Sequence, residues 1–126
     1  MAEPDPSQLS GRRILVVEDD FLIAADLAEG LQELGMTVVG PASSVSDALL
    51  EIEAAPDLDA AVLDVNLSGE TIFEVADALR TRGVPFIFAT GYSVSAVPPE
   101  YAEVPRCEKP VPIQALVRCL EHQFQT

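Results

Sequence analysis

The chain is predicted to be an α/β protein, a doubly wound five-stranded parallel sheet of (βα)5 type, and three observations carry that prediction. Short β-branched runs alternate with segments whose apolar residues recur every three or four positions. Most runs stop at a polar or acidic residue, and glycine or proline punctuates the units. The 126 residues suit one domain that buries a core without disulfides or metal, and an apolar fraction of 48% fits a globular chain.

Taken in order, residues 1–11 hold Pro4, Pro6, Ser7 and Ser10 without apolar periodicity and read as a flexible leader before a domain over 12–126. Ile14-Leu15-Val16-Val17 makes the first strand and stops in Glu18-Asp19-Asp20. From Phe21 the period changes: Ile23, Leu27, Leu31 and Leu34 recur at helical spacing until Gly35. Met36 to Val39 is the second strand. After Gly40-Pro41, Ser44 and Asp47 offer a cap for a helix marked by Val45, Ala48, Leu49 and Ile52, ending near Pro56.

Ala60 to Leu63 is the third strand, and a helix through Ile72, Val75, Ala76 and Leu79 ends at Gly83. Pro85 to Ala89 is the fourth strand, with proline tolerated at its first position. Pro98-Pro99 leaves room for only about two turns of a fourth helix, expected to be short or mobile. Val104 to Glu108, with Pro105 inside it, reads as an edge strand. Pro112 then opens a fifth helix whose stripe is Ile113, Leu116, Val117, Leu120 and Phe124.

Charge excludes several functions. With 21 acids against 7 bases, a formal charge of −14 repels phosphate backbones and anionic surfaces, so neither nucleic acid nor membrane is an expected partner. The sequence has no signal-type or membrane-spanning apolar run, and the expected location is cytoplasmic. Cys107 and Cys119 fall in a predicted strand and a predicted helix and are read as reduced thiols. Lys109 is the only lysine among the 7 basic residues. His122, the only histidine, reads as a charge at a helix terminus rather than a catalytic group.

Parallel strands gather their carboxyl ends on one edge, so Glu18, Asp19, Asp64, Thr90 and Lys109 are expected to converge. Singly, each has a plainer reading: Asp64 and Thr90 begin turns, the acids after the first strand face water, and Lys109 is a surface lysine. Jointly they ask for more. Three neighbouring carboxylates repel unless a cation offsets them, and Mg²⁺ meets that need through oxygen ligands, with Asp19 and Asp64 direct and Glu18 through water. A carboxylate beside Mg²⁺, a lysine and a hydroxyl is equipped to attack phosphorus and form an aspartyl phosphate.

Ile14-Leu15-Val16-Val17-Glu18-Asp19, Asp64, Thr90 and Lys109-Pro110, in that order at strand ends, resemble the receiver domain of bacterial two-component response regulators. The resemblance covers Arg13 to Phe124 and implies a flavodoxin-like strand order of 2-1-3-4-5. It further implies that Asp64 is the phosphoacceptor for a histidine kinase, and that Glu18, Asp19, Asp64 and the backbone carbonyl of Asn66 hold Mg²⁺. Thr90 and Lys109 would be the switch hydroxyl and the phosphoryl-binding lysine.

Phe88-Ala89-Thr90-Gly91-Tyr92 resembles a Phe-Ala-Thr-Gly subgroup of receivers, often single-domain proteins. The chain departs from the commoner pattern at four positions. Arg106 stands where an aromatic switch residue is common, Gly91 where alanine is usual, Ser68 where many receivers have proline, and Val111 where an aromatic is frequent. These departures put the threonine-aromatic switch in doubt, and Asn66 and Tyr92 are expected to tune the lifetime of the phosphorylated state.

The expected function is therefore a phosphoacceptor in phosphorelay signal transduction, not an enzyme beyond slow self-dephosphorylation. Its output is expected through partner binding or relay, because no residues remain after Phe124 for an effector. Two alternatives compete. A phosphatase of the haloacid-dehalogenase type also uses an aspartate nucleophile, but needs a general acid where Asn66 stands and a cap domain. A non-phosphorylated pseudo-receiver would serve only for docking, which the complete acid set argues against.

Overall fold

Alternation inside the apolar runs decides the architecture. In β1 (Arg13–Val17), Leu15 and Val17 face one core while Ile14 and Val16 face another, and all four are buried. β3 (Ala60–Asp64) repeats this, with Ala61 and Leu63 on the first face and Ala60 and Val62 on the second. Strands buried on both faces are what helices packed on both sides of a parallel sheet require. The computed structural model describes residues 9–67, 70–90, 97–109 and 112–124, with the backbone alone for Asn66, Glu70, Thr71 and Thr90.

β2 (Thr37–Ala42), β4 (Phe86–Thr90) and β5 (Arg106–Glu108) complete one all-parallel sheet in the order β2-β1-β3-β4-β5. The 2-1-3-4-5 order expected from the resemblance is therefore the order found. Four α-helices lie among the described residues: α1 (Phe21–Glu33), α2 (Val45–Ala54), α3 (Phe73–Thr81) and α4 (Ile113–Gln123). Residues of α2 and α3 fill the first core with Phe86, Phe88 and Tyr101, whereas α1 and α4 cover the second, whose buried members include no aromatic ring among the described residues. No described helix is long and apolar enough to cross a membrane.

Local chemistry explains the boundaries. Asp20 caps α1 by accepting from the backbone N–H groups of Leu22 and Ile23, and Ser44 caps α2 by accepting from Asp47. β2 starts at Thr37 and runs on to Ala42, past the end expected at Val39. Gly40 makes this possible: its φ is +90°, and a Cβ there would sit 2.7 Å from the Ala42 nitrogen. β5 begins at Arg106 rather than Val104, since Pro105 has no N–H to donate, although its carbonyl accepts from Phe88 at 2.9 Å.

One boundary differs from expectation. The leader ends earlier than Gly11, because Leu9 is fully buried in the second core and its carbonyl accepts from Arg12 at 3.0 Å. A single apolar residue has no periodicity to announce it. The expected fourth helix falls largely on residues 91–96, outside those described. Between residue 97 and β5, the described residues hold a 3₁₀ turn at Pro99–Tyr101.

Candidate functional site

Strand register brings the acids together. Val17 is level with Leu63, so Glu18, the next residue, stands beside Asp64. The Glu18 N–H donates to the Ala42 carbonyl at 2.9 Å, and Asp64 is level with Ala89, one residue before Thr90. Thr90 in turn pairs with Glu108, which delivers Lys109 to the same edge. Glu18, Asp19, Asp64 and Lys109 thus meet, with the Thr90 backbone on the same edge, because parallel strands end together.

Glu18 and Asp64 are 3% and 2% exposed, a degree of burial that carboxylates rarely reach without partners. Oxygen atoms of Glu18, Asp19 and Asp64 all lie within 4.8 Å of one another. The Lys109 ammonium is 2.8 Å from Glu18 Oε1 and 3.1 Å from Asp64 Oδ2. The Asp20 N–H donates to the other Glu18 oxygen at 3.0 Å. Burial pulls the Lys109 pKa down, but the Glu18 hydrogen bond and the Asp64 charge outweigh it, and the ammonium is held above its ordinary value.

The remaining predicted residues divide. Arg106 is exposed on β5, its backbone level with Phe88, away from the acids. Asn66 pairs with Thr71 in a two-residue antiparallel ladder immediately after β3. The side chains of Asn66 and Thr90 lie outside the described residues, as do Ser68, Gly91, Tyr92, Pro110 and Val111 in full.

The rim carries apolar residues that charge-based reasoning passed over. Phe21 and Leu22, at the start of α1, are 82% and 72% exposed. With Glu18, Asp19, Ala24 and Pro41, Phe21 lines a cleft of about 340 Å³. A break in helical periodicity at the first two positions of α1 was the signal available: both residues fall off the stripe of Ala24, Leu27 and Leu31.

A doubly wound parallel sheet with three carboxylates and a lysine at its carboxyl edge defines a class of α/β proteins that work at strand ends. The family model for the response regulator receiver domain matches residues 14–105, and the chain belongs to that family. It is 44% identical over 79 residues to the transcriptional regulatory protein TcrA of Mycobacterium tuberculosis, covering 61% of this chain and 30% of that protein. It is 31% identical over 83 residues to PdtaR of the same species, covering 65% of this chain and 40% of PdtaR. The matches thus span well under half of either curated relative. Among solved structures, SdrG from Sphingomonas melonis superposes with a TM-score of 0.81 at 39% identity, covering 91% of this chain and 98% of SdrG.

Proposed function

We propose that this receiver domain accepts a phosphoryl group on Asp64 from the phosphohistidine of a histidine kinase, with Mg²⁺ as cofactor, and signals by binding a protein partner. The observation that carries the reading is the Lys109 ammonium between Glu18 and Asp64, at 2.8 and 3.1 Å, inside a pocket of three carboxylates. One lysine charge does not balance three acids. Oxygen-only donors within 4.8 Å fit a hard divalent ion, so Glu18, Asp19 and Asp64, with the Asn66 carbonyl, would hold Mg²⁺. When bound, the ion supplies positive charge to phosphoryl oxygens.

In this reading Asp64 Oδ attacks phosphorus in line, the bond from phosphorus to the kinase imidazole breaks, and the imidazole leaves. Lys109 releases Asp64 and follows the charge onto the new phosphoryl oxygen, and the Thr90 hydroxyl donates to another. Asn66 and Tyr92, two residues beyond Asp64 and Thr90, would tune lifetime, as the family resemblance implies. Arg106 replaces the aromatic readout, leaving the loop after β4 to carry the signal. The exposed Phe21 and Leu22 offer the kinase an apolar contact beside the acceptor.

Incubation with Mg²⁺ and acetyl phosphate should add one phosphoryl group by mass, absent in Asp64→Asn. An Asp64 left unmodified by every donor tried would sink the proposal. Phe21→Asp should slow transfer from a cognate kinase about tenfold while leaving acetyl phosphate uptake unchanged. Equal slowing with both donors would remove Phe21 from the docking surface.

A further inference from the structure

The two thiols, which phosphoryl chemistry leaves unused, are in contact. Cys107 sits in β5, 7% exposed, in the second core beside residues of α4, while Cys119 projects from α4 and is partly exposed. Their sulfur atoms are 3.1 Å apart, and a disulfide needs about 2.05 Å, so closing the bond asks for a shift of about one ångström. Cys107 is level with Ala89, which is itself level with Asp64, and it precedes Lys109 by two residues.

We propose that Cys107 and Cys119 are a reversible dithiol site that reacts with a peroxide or a small disulfide and so ties β5 to α4. The chemistry is ordered by access. Burial, and then the contact with Cys119, push the Cys107 thiol up to about 12, so it stays protonated and shielded while Cys119 meets the oxidant. With hydrogen peroxide, the Cys119 sulfur attacks one oxygen, the O–O bond breaks, and a sulfenic acid and one water result. The Cys107 sulfur then attacks the Cys119 sulfur, and the S–O bond breaks. The Cys107 proton leaves with the hydroxyl as a second water, so two thiols are oxidised and one peroxide is reduced. With glutathione disulfide the same order passes through a mixed disulfide on Cys119 and releases two glutathione thiols.

The inference does not depend on phosphorylation and is tested without it. The native chain, treated with hydrogen peroxide or glutathione disulfide, should lose two hydrogen masses and both titratable thiols. Digestion should yield a peptide joining Cys107 to Cys119, and dithiothreitol should restore the original mass. Closure should run about tenfold or more faster in the folded chain than in urea, because the fold holds the second sulfur against the first. Cys107→Ser should trap a Cys119 glutathione adduct that the parent chain does not accumulate. A stable adduct or sulfinic acid on Cys119 in the parent, a dimer between chains, or thiols inert to both oxidants would each overturn the proposal.

Discussion

Lys109 and Cys107 stand two residues apart, and their surroundings treat charge in opposite ways. At the strand ends the Lys109 ammonium is held above its ordinary pKa by Glu18 and Asp64, which outweigh its burial. One step back, inside the sheet, burial raises the Cys107 thiol to about 12 and keeps it neutral. The edge concentrates charge that the body of the sheet excludes. A receiver fold thus separates two tasks along each strand: stability comes from the apolar body, and chemistry from residues just beyond it.

The largest test of that division is Asp64→Asn, which should abolish phosphoryl uptake by mass while changing the urea-derived unfolding free energy by no more than about 1 kcal/mol. The substitution removes one of three mutually repelling charges and leaves Lys109 paired with Glu18. Tyr101→Ala should do the reverse. Tyr101 is fully buried, stacked on Phe73 with ring centroids 5.3 Å apart and edge-on to Phe88 at 6.0 Å, and its hydroxyl donates to Asp77. Its loss should cost about 3–5 kcal/mol in urea, with uptake retained in the folded fraction.

Lys109→Met comes next in size: uptake from acetyl phosphate should fall roughly a hundredfold, as for loss of one preorganised charge, while Mg²⁺ binding survives. Equal loss of both would mean that Lys109 organises the pocket rather than serving the phosphoryl group. The smallest effect concerns pH. Above the ordinary thiol value of 9.0 the unfolded chain releases the Cys107 proton and the folded chain does not, until about 12. Stability from this thiol is therefore complete below pH 9 and declines as pH rises towards 12. Urea midpoints across that range should fall less steeply in Cys107→Ala than in the parent.

Much of this was legible in the residues, for a definite reason. Parallel topology converts the position at the end of an apolar run into a place in space, so Glu18, Asp64 and Lys109 were predicted together from strand ends alone. Where a residue owes its role to a distant partner, local pattern fails. Tyr101 follows Pro98-Pro99 in a stretch with no period, and only the third helix and fourth strand give it a pocket. Leu9 is solitary in a polar leader. The extension of β2 through Gly40-Pro41 depends on β1 as a template, because the Ala42 carbonyl is needed to receive the Glu18 N–H.

The solitary lysine has a practical consequence. Apart from the amino terminus, the chain offers amine-selective reagents a single target, and its side chain is 19% exposed and clasped by two carboxylates. Labelling kinetics at Lys109, read by mass, would therefore serve as a built-in gauge of what occupies the pocket, needing no dye, fusion or engineered probe.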